Sequence, residues 1–264
     1  MTTHSYAMRD SMTMVRRNLK HMLRYPVLAL MVAGIPVVIL LMFVYVFGDT
    51  MGAGLAGVTG GRAEYVNYLA PGILLLAIAG SAQGTAISVA IDMQEGIIAR
   101  FRTMAIARVS VLTGHVVGNV IQTMLGVALV IGIALLVGFR PVAGPVEWIS
   151  AIGLLAVSAL GFTWLSVALG LAAKSVESAS NTPMILLLLP FLGSGFVPTD
   201  GMPVGLRWFA EYQPFTSIIE TLRGLLLETP IGNSGIVASI WCAAITFGGY
   251  IWAKKLYNRD PVAK

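Results

Sequence analysis

Hydrophobic positions in this chain come in long unbroken runs, with polar positions gathered between them. Six stretches of more than about 20 residues carry no Asp, Glu, Lys or Arg: 25–48, 65–91, 109–139, 148–173, 178–199 and 229–253. Each is long enough for a helix to cross a hydrocarbon core of about 30 Å. In lipid each must close its backbone hydrogen bonds internally, which favours helix. A transmembrane β-barrel would need short alternating segments, whereas 73–79 and 184–189 are continuously apolar. A large soluble core is the weaker alternative. The expected fold is an all-α polytopic membrane protein. One transmembrane domain over 1–264 carries six transmembrane helices at about 27–47, 66–91, 116–137, 149–173, 178–197 and 230–253.

Local residues adjust these spans. The third run is too long for one crossing, and Gly114, His115, Gly118 and Asn119 assign its start to a cytoplasmic connection. The fifth holds Pro183 and Pro190, then Gly193 and Gly195, so its helix should kink or break near its far end. The first run follows 24 residues that include five bases and is too long for a signal h-region, so it reads as an uncleaved span. Small-residue pairs at Gly80 and Gly84, and at Gly114 and Gly118, offer places for close helix packing.

Three segments outside the runs carry further pattern. In 5–24, Met8, Met12, Val15, Leu19 and Met22 share one helix face, and Arg9, Arg16, Lys20 and Arg24 lie off it. This reads either as an N-terminal amphipathic interfacial helix, with Arg16, Arg17 and Lys20 at its basic side, or as a plain basic anchor. In the second segment, 92–108 and on to His115, acids (Asp92, Glu95) precede bases (Arg100, Arg102, Arg108), the order that complements a helix dipole. Ile97, Ile98 and Phe101 add a small apolar face. The segment suits docking of another protein, or it is a solvated loop whose arginines only fix topology. The third, 198–228, is too apolar for a free loop: Leu206, Trp208, Phe209, Tyr212, Phe215, Ile218, Ile219, Leu222 and 225–227 all call for burial. Pro198, Pro203 and Pro214 divide it, and Glu211, Glu220 and Arg223 are too frequent for a full crossing. Short re-entrant helices between spans five and six fit best.

Charge turns this pattern into an orientation. The 264 residues include 29 charged ones, where a soluble chain at a quarter charged would hold about 66. All 29 lie in the 109 residues outside the six runs, and mean hydropathy is +0.83. Six spans put both termini on one side. That side carries 13 Lys and Arg against 4 on the other, so both termini are expected in the cytoplasm. The net charge of +5 is spread over membrane-flanking segments; it calls for anionic lipid, not nucleic acid. Cys242 is the single cysteine, which excludes an intrachain disulfide and a cysteine zinc cluster. His4, His21 and His115 lack metal-ligand spacing, so no metal site is expected.

The phosphate-cradling Gly-x-x-x-x-Gly-Lys-Ser/Thr motif is absent, as are His-Glu-x-x-His and Gly-x-Ser-x-Gly. No catalytic constellation is present, and no span carries the ionisable group that ion-coupled carriers place near the midplane. If this chain moves a solute uphill, a partner must supply the energy. A secondary, ion-coupled transporter and a non-transport membrane assembly protein remain as alternatives.

The chain resembles the membrane subunits of type 2 ATP-binding-cassette exporters, especially the daunorubicin-resistance type of drug and lipid exporter. The likeness is carried by VAIDMQEGIIARFRTMAIARVSVLTG at 89–114, GFVPTDGMPVGLRWF at 195–209 and QPFTSIIETLRGL at 213–225. The first is similar to the family's cytoplasmic coupling helix between spans two and three. By resemblance this assigns Asp92, Glu95, Gly96, Ile97, Arg100, Phe101 and Arg102 to ATPase coupling. The family more often has a proline shortly after the second arginine; Thr103, Met104 and Ala105 stand there instead. The second and third are similar to the family's stretches around spans five and six, and make Pro198, Pro203, Arg207, Pro214, Glu220 and Arg223 the residues of the re-entrant region.

The resemblance further implies two copies of a separate ABC-type ATPase and a second membrane subunit, as a homodimer facing through spans one, two and five. This chain itself would bind no cofactor; ATP and magnesium would sit on the ATPase. The expected location is the bacterial inner membrane. The expected cargo is a hydrophobic drug, lipid or lipid-linked product moved out of the cell, with Phe43 and Met184 near its path or facing lipid.

Overall fold

The computed structural model of the chain describes residues 27–54, 61–95 and 108–258. The leader at 5–24, with Arg16, Arg17 and Lys20, lies outside the described residues, and so do Gly96, Ile97, Arg100, Phe101 and Arg102. Every regular element among the described residues is helical. In order they are α1 (Val27–Val46), α2 (Gly48–Gly54), α3 (Arg62–Gln94), α4 (Arg108–Val137), α5 (Pro145–Ala172), α6 (Val176–Asn181), α7 (Met184–Leu188), a 3-10 turn (Thr199–Gly201), α8 (Val204–Tyr212), α9 (Pro214–Leu227) and α10 (Ser234–Tyr257).

Four helices are long and apolar enough to cross a membrane: Arg62–Gln94, Val116–Val137 within α4, Pro145–Ala172 and Ser234–Tyr257. A shorter apolar stretch, Val32–Val46, lies in α1. The fifth charge-free run is no single helix. It holds α6 and α7 and then turns from Leu189 to Phe196. Pro183 and Pro190 remove backbone donors at these two interruptions. The fourth helix, in contrast, is continuous from Arg108, so Gly114 and Gly118 do not interrupt it.

α3 is the axis of the bundle. At 33 residues it is about 50 Å long, well beyond the hydrocarbon core. Leu69 to Ala79 are all buried, as expected for a stretch apolar on every side. It packs against α1, α4, α5, α6, α7 and α9. In its second half, Ser81 and Gln83 tie it to its neighbours. Ser81 Oγ meets Thr123 Oγ1 of α4 at 2.5 Å. Thr123 donates its own hydrogen to Asn119 O, so Ser81 is the donor to Thr123. Gln83 Nε2 donates to Ser180 O of α6 at 2.9 Å.

Close helix crossings use glycines other than Gly80 and Gly84. A Cβ at Gly161 of α5 would lie 2.9 Å from Thr246 Oγ1 of α10, and one at Gly249 of α10 would lie 2.7 Å from Leu165 N. A Cβ at Gly170 would lie 2.6 Å from Ala86 O of α3. At Gly80 the nearest atom is 3.8 Å away, and at Gly84 nothing lies within 4 Å. The Gly80–Gly84 spacing therefore does not mark a close crossing. Gly170 and Gly249 each face the backbone of another helix, and Gly161 faces a threonine hydroxyl.

Candidate functional site

Residues that the sequence separates by more than a hundred positions meet at the end of the bundle where α3 begins. Pro214 occupies the first turn of α9, where its missing N–H is no loss. Gln213 caps the helix: its side-chain oxygen accepts from Phe215 N at 3.3 Å. The same side chain donates through Nε2 to Leu189 O (2.8 Å) and to Thr216 Oγ1 (3.2 Å). Thr216 Oγ1 also accepts from Ser194 N at 3.4 Å. The backbone of the turns after α7 thus finds side-chain partners at the start of α9, as unwound chain among apolar helices must.

α9 is sealed. Phe215, Ile218, Ile219, Leu222 and Leu226 are fully buried against α3, α5 and α10. Within this surface Arg223 reaches across two other segments. Its Nη2 donates to Ser194 O at 2.7 Å and to Tyr68 O at 3.2 Å. Its guanidinium carbon lies 3.9 Å from the centre of the Tyr68 ring. Its Nε is buried without a hydrogen-bond partner. Glu220, one turn earlier, accepts from Ser234 Oγ at 2.8 Å, which ties α9 to the start of α10.

The backbone approaches closely at the same place. A Cβ on Gly72 would lie 2.5 Å from Gly195 O and 2.8 Å from Gly195 Cα. Tyr65 Oη donates to Phe196 O at 3.4 Å. Phe196 stacks on Phe191 at 4.1 Å and leans on Phe43 at 4.9 Å. Phe43 is therefore part of the packing around this knot.

Pro198 and Pro203 flank the 3-10 turn and precede α8. Arg207 of α8 pairs with Glu211 (2.6 Å) and Asp200 (2.9 Å) on the surface. The hydrogen bond that Arg207 donates to Glu211, then the charges of Glu211 and Asp200, raise the Arg207 pKa. α8 corrects one expectation. Trp208 and Tyr212 are 66% and 63% exposed, and Leu206 and Phe209 are also exposed. Only α9 buries its apolar residues inside the chain. An aromatic face turned outward fits the membrane–water boundary, where amphipathic rings settle.

The re-entrant candidates thus divide. Arg223, Glu220 and Pro214 belong to one buried cluster, whereas Arg207, Pro198 and Pro203 lie apart from it on the surface. Tyr68, Gly72, Ser194 and Gln213 complete the cluster and were not singled out from sequence.

At the other end of α3, Asp92 lies in the last helical turn and Glu95 is the C-cap, its N–H bonded to Ile91 O at 2.9 Å. Two acids therefore end this helix, and its last turn holds no base. Glu95, which is exposed, opposes the helix dipole by about 0.3–1 kcal/mol. The acid-before-base order of 92–108 is thus split: Asp92 belongs to α3, and Arg108 opens α4.

The sequence profile of the ABC-2 type transporter family matches residues 10–227. This chain belongs to that family. Over 206 residues it is 28% identical to the daunorubicin resistance ABC transporter permease protein DrrB1 of Streptomyces coeruleorubidus, covering 78% of this chain and 70% of that protein. Over 175 residues it is 26% identical to the probable doxorubicin resistance ABC transporter permease protein DrrC of Mycobacterium tuberculosis, covering 65% of this chain and 63% of that one. As an ABC-2 permease the chain is an integral membrane protein. It is the transmembrane subunit of an ABC exporter, and its partner is a separate ABC ATPase. The matched stretch includes both ends of α3 and the whole of α9.

Proposed function

We propose that this permease exports a hydrophobic drug, lipid or lipid-linked product across a bacterial inner membrane. In this reading a homodimer of the chain works with two ATPase subunits that bind ATP and magnesium. Six crossings with both termini in the cytoplasm supply the frame: α1, α3, α4 and α5, then α6 with α7 as an interrupted fifth, then α10. The family match, together with six runs free of charge, carries the reading. Spans without an ionisable group favour an apolar or amphipathic cargo and leave no site for ion coupling. The names of the relatives, which concern daunorubicin and doxorubicin resistance, favour a drug-like amphiphile.

Motion from the ATPase enters at 92–108, through Asp92, Glu95, Gly96, Ile97, Arg100, Phe101 and Arg102, and at the leader through Arg16, Arg17 and Lys20. Glu95 at the end of α3 supports this assignment, since its position opposes the dipole and gains from a cationic partner. The outward faces of α1 (Ile35, Val38, Met42) and α7 (Met184, Ile185, Leu188) suit the second membrane subunit. α3 is enclosed by its own chain from Leu69 to Ala79. Its outer half therefore has no face left for the partner, and α1 and α7 take that role.

Purification of the full chain in mild detergent from its native membrane should bring down a nucleotide-binding ATPase in equal copy number. A preparation that holds the folded permease at full yield, with no ATPase under any nucleotide condition, would contradict the proposal.

A further inference from the structure

Arg223 and Glu220 are the only charged residues on α9, and their roles differ. Glu220 meets a neighbouring hydroxyl, as a carboxylate at a helix boundary can. Arg223 instead binds two main-chain carbonyls on segments other than its own. One is Tyr68 O, in the turn of α3 just before Pro71. The other is Ser194 O, in the turns that follow α7. A single planar guanidinium, stacked on the Tyr68 ring, so joins α9 to α3 and to the unwound end of the fifth crossing. Arg fits this task because its delocalised plane stacks while its edge donates; a lysine ammonium does not combine the two. The turns it holds continue directly from the exposed face of α7 formed by Met184, Ile185 and Leu188. One Arg223 donor, Nε, stays buried and unused, so the residue is held here at less than its full bonding capacity.

We propose that Arg223 is a positioning residue for export: it fixes the path of the turns from Leu189 to Phe196, and through them sets the outer end of the α7 wall past which cargo leaves. Tyr68 is its orienting partner. The proposal rests on the exporter reading, and it makes a claim that is separable from it. If Arg223 only added stability, its loss would lower yield and leave both the shape of the turns and the cargo moved per ATP unchanged.

The test uses the full chain in its native membrane, with Cys242 replaced by alanine and a reporter cysteine introduced by Ser194→Cys. Ser194 Oγ has no hydrogen-bond partner and is 3% exposed as a residue, so the reporter removes no side-chain bond. A membrane-impermeant maleimide should label this reporter slowly. Adding Arg223→Gln should speed labelling about tenfold, the scale of losing one charge-assisted hydrogen bond. Tyr68→Leu should speed it in the same direction, and the double variant should gain little beyond Arg223→Gln alone. Arg223→Lys should recover only part of the protection. Unchanged labelling in both single variants overturns the proposal, and so do effects that multiply independently. If Arg223→Gln yields no folded protein, Tyr68→Leu alone decides by the same readout.

A second arm uses the permease–ATPase complex in vesicles, where Arg223→Gln should lower cargo moved per ATP by about tenfold with the complex still assembled. A wild-type ratio in that variant overturns the role in export. Lack of any ATP-driven movement by the wild-type complex counts instead against the exporter reading, and the labelling arm stands apart from it.

Discussion

Replacing Gly72 with valine should abolish accumulation of folded protein. The three atoms nearest a Cβ at this position are all main chain: Gly195 O at 2.5 Å, Gly195 Cα at 2.8 Å and Gly195 C at 2.9 Å. A flexible side chain could turn away, but these atoms are held from several sides. Tyr65 binds Phe196 O, Gln213 binds Leu189 O, and Arg223 binds Ser194 O. α3 cannot retreat either, because Leu69 to Ala79 are buried all round. Overpacking of a tight interior costs about 1–3 kcal/mol where neighbours can adjust. Here they cannot, and the loss should exceed about 3 kcal/mol, a large share of a typical folding free energy. Gly84→Ala is the matched control on the same helix, with nothing within 4 Å of its Cβ. It should be neutral or gain up to about 1 kcal/mol from helix propensity. Yield in detergent and thermal unfolding of the two variants check both expectations.

The second large effect concerns function without stability. Glu95→Ala should leave the permease folded and bound in the membrane, yet reduce cargo moved per ATP by roughly 5- to 150-fold, the range of a coupling free energy of 1–3 kcal/mol. Glu95 is exposed and ends α3 at the C-cap, where a carboxylate opposes the helix dipole. Its removal should therefore raise stability slightly, by at most about 1 kcal/mol. A carboxylate set against the helix dipole gains most from a cationic group on a partner, which is the role proposed for Glu95. Arg100→Glu should act in the same direction by reversing the charge offered to the ATPase. Parallel measurement of unfolding temperature, ATP hydrolysis and transport separates the two effects. Wild-type transport in both variants would remove the coupling role from 92–108.

Much of the fold could be read from charge alone. The runs at 65–91, 109–139, 148–173 and 229–253 each contain the core of a long helix, because lipid tolerates neither ions nor open backbone bonds. Pro190 marked the expected break towards the far end of the fifth run, whereas the earlier interruption at Pro183 was not expected. The buried cluster was legible only in part. The apolar content of 213–227 called for burial, and α9 is buried; the same reasoning misplaced α8, whose aromatics face outward.

What sequence could not give is the meeting of Arg223 with Tyr68 and Ser194, which lie 155 and 29 positions away. A side chain that binds main-chain carbonyls leaves no mark on the identity of the residues it binds. The Gly72–Gly195 contact was hidden for a related reason. With 29 glycines in the chain, only the tertiary arrangement distinguishes the one that faces a backbone. The nearest sequence signal was Pro71 beside Gly72, a pair that marks a place where α3 gives up a hydrogen bond and a side chain together.

The measurement that bears most directly on the central claim is transport by the permease–ATPase complex in inside-out membrane vesicles, followed with a fluorescent hydrophobic amine. The account predicts accumulation that requires hydrolysable ATP, stops when the ATPase subunit is omitted, and persists after a protonophore and ionophores have collapsed every ion gradient. Accumulation that proceeds without ATP and vanishes with the proton gradient would contradict it.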